Sequence, residues 1–184
     1  MSKIILQDVR CSYVFVTSER KDGGYGLQVM MKKGSKLHKQ LEKETERVLV
    51  DGFGQAALRK RGRYKLPLRD GDDEREGEEY EGIIFFNANA AKKPGLVTRA
   101  NNKPTASDLE AYCYSGAYFT ISVTLYSFPA KDGGKPGVAV GLNNVMLRKK
   151  GERLDGTIEA SKEFEDFADD DFDEDDEDDF DDDF

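Results

Sequence analysis

At 184 residues, with 28 Lys and Arg against 37 Asp and Glu, the chain has the length for one buried core plus an appendage. Its formal charge of −9 averages two unlike parts: every Lys and Arg lies in residues 1–162 with 21 of the acids, so this body carries about +7 and residues 163–184 carry −16. No apolar run nears the roughly 20 residues of a bilayer span, Gln7, Asp8 and Arg10 interrupt the opening run so that it is no signal peptide, and Cys11, Cys113 and His38 lack the spacing of a structural zinc site.

Residues 4–16, IILQDVRCSYVFV, read as one long bent strand or a strand pair. TSERKDGG (17–24) is a polar loop, and YGLQVMMK (25–32) is a half-buried strand that sets Leu27, Val29 and Met31 against Gln28, Met30 and Lys32. Ser35 predicts the N-cap of a helix over 36–50, with Leu37, Leu41, Val48 and Leu49 on one face and Gly52 and Gly54 ending it. A basic stretch (57–69) and a solvated acidic loop (70–82) follow, then a strand, IIFFNANA (83–90), and a loop or edge segment (91–105). AYFTISVTLYSF (117–128) is the clearest strand: Phe119, Ile121, Val123 and Leu125 face one way, Tyr118, Thr120, Ser122, Thr124 and Tyr126 the other. After a KDGGKPG turn comes a last strand (138–149) that Gly141 bends. Five or six sequential strands with one helix predict a mainly β fold, an antiparallel closed or partly open barrel, with residues 163–184 as a disordered tail.

Catalytic readings are weak. His38 is the single histidine and reads as a solvated helix residue beside lysines; GGYG lacks the Lys-Ser/Thr of a phosphate loop. DGDDEREGEEYE has Arg75 where a calcium loop needs glycine. A metal-dependent nuclease on Asp70, Asp72 and Asp73 is the weakest alternative. The expectation is therefore no enzyme, no cofactor and no metal.

Single-stranded nucleic acid is held by a basic groove for phosphates and aromatic faces for bases. Arg59, Lys60, Arg61, Arg63 and Lys65 surround Tyr64; Lys92, Lys93 and Arg99 flank a strand end; Arg148 and Lys149 close the last strand; Tyr118 and Tyr126 lie on the polar face of the clearest strand. These thirteen residues are the candidate nucleic-acid contacts. Neutralising about four phosphates would give a log–log salt slope near −3.

The series LPLRDGDDER (66–75), YEGIIFFNANAAKKPGLV (80–97), YSGAYFTISVTLYSF (114–128) and GVAVGLNNVMLRKKGERLDG (137–156) resembles a bacteriophage family of OB-fold single-stranded DNA-binding proteins. The resemblance implies an OB barrel over residues 1–162 that coats single strands in replication or recombination, in the cytoplasm of an infected bacterium. An OB barrel of the usual kind places its helix between the third and fourth strands, which here requires residues 4–16 to supply two strands. As one strand they would make a variant.

The tail, EFEDFADDDFDEDDEDDFDDDF, alternates acids with five phenylalanines. It loosely copies a single strand, and a 22-residue coil spans about 26 Å, enough to reach a groove on its own body. It is expected to compete for that groove and to recruit phage or host replication proteins, with Phe180 and Phe184 as contacts. The rival reading is an acidic chaperone or DNA mimic that binds basic proteins.

Overall fold

The structure, a computed structural model, describes residues 1–157 and 163–164. Its strands are β1 (Ser2–Phe15), β2 (Tyr25–Lys32), β3 (Arg69–Asp70), β4 (Ile83–Ala90), β5 (Gly95–Val97), β6 (Tyr118–Phe128) and β7 (Gly137–Lys149). Three helices, α1 (Lys36–Phe53), α2 (Gly71–Glu74) and α3 (Ala106–Tyr112), and two 3-10 segments, Gln55–Arg63 and Glu78–Tyr80, fill the connections.

β1 pairs with both β2 and β6, β2 with β4, and β6 with β7, all antiparallel. A short parallel pairing, Ala88 with Val140 and Asn89 with Gly141, joins β4 to β7 and closes a five-stranded barrel. This is the strand order of an OB barrel, the mainly β fold expected, with one short parallel pairing closing an otherwise antiparallel wall. β3 and β5 lie outside it as edge additions on β4 and β7.

The interior follows from strand alternation. Val29, Phe86, Phe119, Ile121, Val123 and Leu125 are fully buried, and period-2 geometry sends their neighbours outward. α1 packs against β6, β7 and β2 through Leu41, Thr45, Val48 and Leu49. Ser35 caps it by accepting from the His38 N–H at 3.2 Å, and Gly54, at φ 82°, ends it. Gly52 lies inside the last turn, correcting its reading as a stop. A Cβ there would meet the Ser127 side chain at 2.6 Å, so the glycine lets helix and strand close up.

Residues 2–15 form one strand, so α1 lies between the second and third barrel strands and the barrel is the variant form. β1 serves two partners because it is bulged twice. One extra residue falls between the Leu6–Ile121 and Val9–Phe119 pairs, another between Ser12–Gln28 and Phe15–Gly26. Asp8 (φ 48°) and Tyr13 (φ 47°) occupy those irregularities in left-handed backbone.

Two further expectations are corrected. β2 is not half-buried: Gln28 and Met30 are 2 % and 5 % exposed. What covers them is the acidic segment expected to be a solvated loop. Lys33 Nζ ties it down through Asp70 at 2.7 Å and Asp72 at 2.5 Å, the Gly82 N–H donates to Asp72 at 2.8 Å, and Tyr80 is buried against Met30 and Phe85. Asp70, Asp72 and Glu74 are answered by Lys33 and Arg69, and the segment folds as a cover.

Candidate nucleic-acid interface

The second bulge of β1 turns two aromatic rings outward. Tyr13 keeps its strained backbone because its N–H donates to Ser115 Oγ at 2.8 Å, and its ring is 52 % exposed. Phe15, beyond the bulge, is 37 % exposed. Val16 points inward and is fully buried, which anchors the segment.

Beside these rings lies a polar floor on the outer faces of β2 and β4. Tyr80 OH and Ser12 Oγ donate to Gln28 Oε1 at 2.5 and 3.1 Å, and Gln28 Nε2 donates to Asn87 Oδ1 at 3.0 Å. Burial pushes the Tyr80 hydroxyl above its ordinary pKa, so it stays protonated as a donor. Arg20 donates to Asn89 Oδ1 at 2.6 Å and to the Gly23 carbonyl at 3.3 Å, and it pairs with exposed Asp22 at 3.2 Å. Gly26 leaves bare backbone between them: a Cβ there would lie 2.7 Å from the Ala88 carbonyl and 2.8 Å from Asn89 Oδ1.

The cover segment delivers Arg75 to the same place. Its guanidinium lies 5.1 Å from the Phe85 ring centre, 5.5 Å from Tyr80 and 5.9 Å from Tyr13, while Arg69 sits 5.2 Å over Phe85. Among the described residues Arg75 Nε has no hydrogen-bond partner. Lys33, raised above its ordinary pKa by its bonds to Asp70 and Asp72, locks the segment, and Asp72 is lowered by the same contact. Asp70 and Asp72, two of the nuclease alternative's three ligands beside Asp73, are thus occupied as supports, and no group of three or more His, Cys, Asp and Glu among the described residues is placed to hold a metal.

Tyr13, Phe15, Arg20, Gly26, Gln28, Arg75, Asn87 and Asn89 line a hollow of about 280 Å³ that contains no carboxylate. The adjoining hollow of about 480 Å³, on the other side of Tyr13, carries Glu79, Glu110 and Asp155. Even with Arg153 in its lining, the second has an excess of carboxylates, so it disfavours phosphates relative to the first.

The sequence-predicted residues are divided among four places. Arg59, Lys60, Arg61 and Arg63 belong to or border the 3-10 segment after α1, where Arg61 pairs with Glu46 and Tyr64 packs at 4.9 Å on Phe53. Lys65 bonds Pro136 and Val138 through its backbone, and Lys135 donates to the Gly62 carbonyl, so this basic run abuts the β6–β7 loop. Lys92 and Lys93 are exposed just past β4. Arg99 and Arg148 share a third hollow of about 500 Å³. There Arg148 bonds Asp8 at 2.8 Å, and Lys149 lies 4.6 Å over the half-buried Tyr118 ring. The hydrogen bond from Arg148 holds the Asp8 carboxyl below its usual range. Tyr126 is 38 % exposed, and its ring edge comes within 3.5 Å of the Cβ position of Gly141, the partner of Asn89. Of the thirteen, Tyr126 thus continues the acid-free face. His38, expected to be solvated, is half-buried: Nδ1 accepts from the Gly34 N–H at 3.0 Å. Phe180 and Phe184 lie outside the described residues.

Tyr13, Phe15, Arg20, Gln28, Arg75, Asn87 and Asn89 were not among the sequence candidates. Alternation offered a signal for the first two: in SYVFV, inward Val16 forces Phe15 outward. The arginine contacts depend on a cover whose folding the sequence did not announce.

Among the described residues, no helix is long and apolar enough to cross a membrane. A comparison with curated protein sequences returns no match. Among solved structures, the single-stranded DNA-binding protein from bacteriophage Enc34 is similar at a TM-score of 0.67 and 19 % identity, covering 88 % of this chain and 89 % of that one. The same protein in complex with ssDNA aligns at 0.67 and 22 % identity, over 83 % and 89 %. The bacteriophage T7 single-stranded DNA-binding protein gp2.5 gives 0.58 at 11 % identity, over 92 % and 97 %. The family described as Enterobacter phage Enc34, ssDNA-binding protein matches residues 2–180, and the chain belongs to that family.

Proposed function

We propose that the chain is a non-enzymatic phage protein that coats single-stranded DNA across the outer face of β1, β2 and β4. The carrying observation is the pair of exposed rings, Tyr13 and Phe15, beside a carboxylate-free hollow edged by Arg20 and Arg75. OB barrels bind oligonucleotides on their second and third strands and on the first and last hairpin loops, here β2, β4 and residues 16–24 and 129–136. Bases stack on Tyr13 and Phe15, and the strand continues past Asn89 and Tyr126. Its phosphates meet Arg20, Lys92 and Lys93 at one end and the basic run 59–65 at the other. Family membership supports this reading, as does the ssDNA complex of the similar Enc34 protein.

Residues 163–184 act as a separate acidic tail on a binding domain of residues 1–162, competing for the groove and recruiting replication proteins through Phe180 and Phe184. The protein works in the cytoplasm of the infected host. Fluorescence anisotropy with single- and double-stranded oligonucleotides tests the core reading. Single strands are expected to bind more tightly, with a log–log salt slope near −3, and removal of 163–184 tightens binding by an amount that shrinks as salt rises. Equal binding to both forms, or binding to neither, overturns it.

A further inference from the structure

The hydrogen-bond ladder beneath the groove fixes which atoms of two asparagines face outward. Arg20 carries donors only, so the Asn89 atom it contacts at 2.6 Å is the oxygen, and Asn89 Nδ2 points the other way. At Gln28, the 2.5 Å separation from Tyr80 OH is that of O–H···O, shorter than N–H···O bonds run, so Oε1 faces the tyrosine and Nε2 faces Asn87. Asn87 therefore accepts through Oδ1 and turns Nδ2 away from the ladder. Both residues are exposed, two positions apart on β4, about 7 Å along the strand. Arg20 and Arg75, which add only donors, line the same hollow. The groove floor thus turns two amide donors outward in fixed orientation, with their oxygens engaged in the ladder and no side-chain carboxylate beside them.

We propose that Asn87 and Asn89 read base edges, and that their outward amide donors favour bases whose edges carry carbonyls. Thymine presents two carbonyl oxygens flanking one N–H. Adenine presents an exocyclic amine beside one ring nitrogen, so its amine meets the asparagine amines donor to donor. Strands rich in thymine are the preferred ligand and strands rich in adenine the poorest. The inference rests on the reading that single strands lie on this face, and it assigns Asn87 and Asn89 as specificity-determining residues there.

The test compares the affinities of oligo(dT) and oligo(dA) of equal length for the full chain, for Asn87→Asp and for Asn87→Leu. Oligo(dA) stacks on itself, which biases the ratio equally for every variant, so the change in ratio reports the protein. Asn87→Asp keeps the acceptor for Gln28 Nε2 and should leave folding intact, while replacing the outward donor with an acceptor for adenine's amine. The dT-to-dA ratio is expected to fall by roughly five-fold or more, the equivalent of about one hydrogen bond, beyond any loss of overall affinity from the added charge. Asn87→Leu, checked by thermal unfolding, should lower the ratio by a smaller factor. An unchanged ratio in Asn87→Asp overturns the inference. Failure of the unaltered chain to bind either strand instead overturns the binding face on which it rests.

Discussion

Two outer regions of the barrel each combine aromatic rings with arginines, on opposite sides of β1. On the β2–β4 side, Arg75 lies over Tyr13, Tyr80 and Phe85, and its Nε lacks a hydrogen-bond partner among the described residues. On the β6–β7 side, Arg148 is bonded to Asp8 and Lys149 covers Tyr118. Composition cannot tell these regions apart. What separates them is how much of each cation's bonding capacity the fold has already used, and whether the rings are uncovered. Arg148 must first give up its carboxylate partner to take a phosphate, whereas Arg75 is stacked on rings and makes no ion pair among the described residues.

Removing the rings should produce the largest contrast. Stacking contributes about 1–3 kcal/mol per base, so Tyr13→Ala combined with Phe15→Ala should weaken oligo(dT) binding by at least about thirty-fold in anisotropy titrations. Tyr118→Ala should change it by less than three-fold. If Tyr118→Ala costs as much as the double variant, the two regions are not distinct. A matched pair of charge changes comes next. Arg75→Gln should weaken binding several-fold and flatten the log–log salt slope by about 0.7, the value for one phosphate on a single strand, whereas Arg148→Gln should leave the slope unchanged.

The smallest effect sharpens the other side. The Asp8 carboxyl is held low by Arg148, so the pair stabilises the fold above the ordinary carboxylate value and the contribution disappears as pH falls through the depressed one. For a surface pair this is at most about 1 kcal/mol. Asp8→Asn should therefore lower thermal stability slightly at pH 7 and converge with the parent once the pH has fallen below the depressed carboxyl value, as followed by circular dichroism.

The barrel strands were legible because their alternation is strict: FTISVTL in β6 buries every second residue. β1 was ambiguous for a physical reason. Bulges at Asp8 and Tyr13 break the period without breaking the strand, so a two-strand reading and a bent one-strand reading fit the same letters. The proposed binding face was mostly illegible because its parts are distant in sequence. Arg75 sits in a run of acids whose repulsion argues for solvation, and it takes the Lys33 bridge to Asp70 and Asp72, with Tyr80 buried, to fold the run back. Conversely, the basic run RKRGRYK is conspicuous, yet Tyr64, its aromatic, is spent on packing against Phe53. Of the rings chosen for exposure on the polar face of β6, Tyr126 is open and Tyr118 is covered.

The parallel pairing that closes the barrel consists of two residue pairs, and one of them contains Asn89, whose side chain is gripped by Arg20. That join is the shortest seam in the barrel wall. A strand held by Asn89 and Tyr126, on either side of Gly141, would lie across it like a staple and slow its breathing. Hydrogen exchange at the amides of residues 88–90 and 139–142 should therefore slow on adding oligo(dT), and the unfolding temperature should rise with it. Loading the barrel with DNA would tighten the wall at its weakest line.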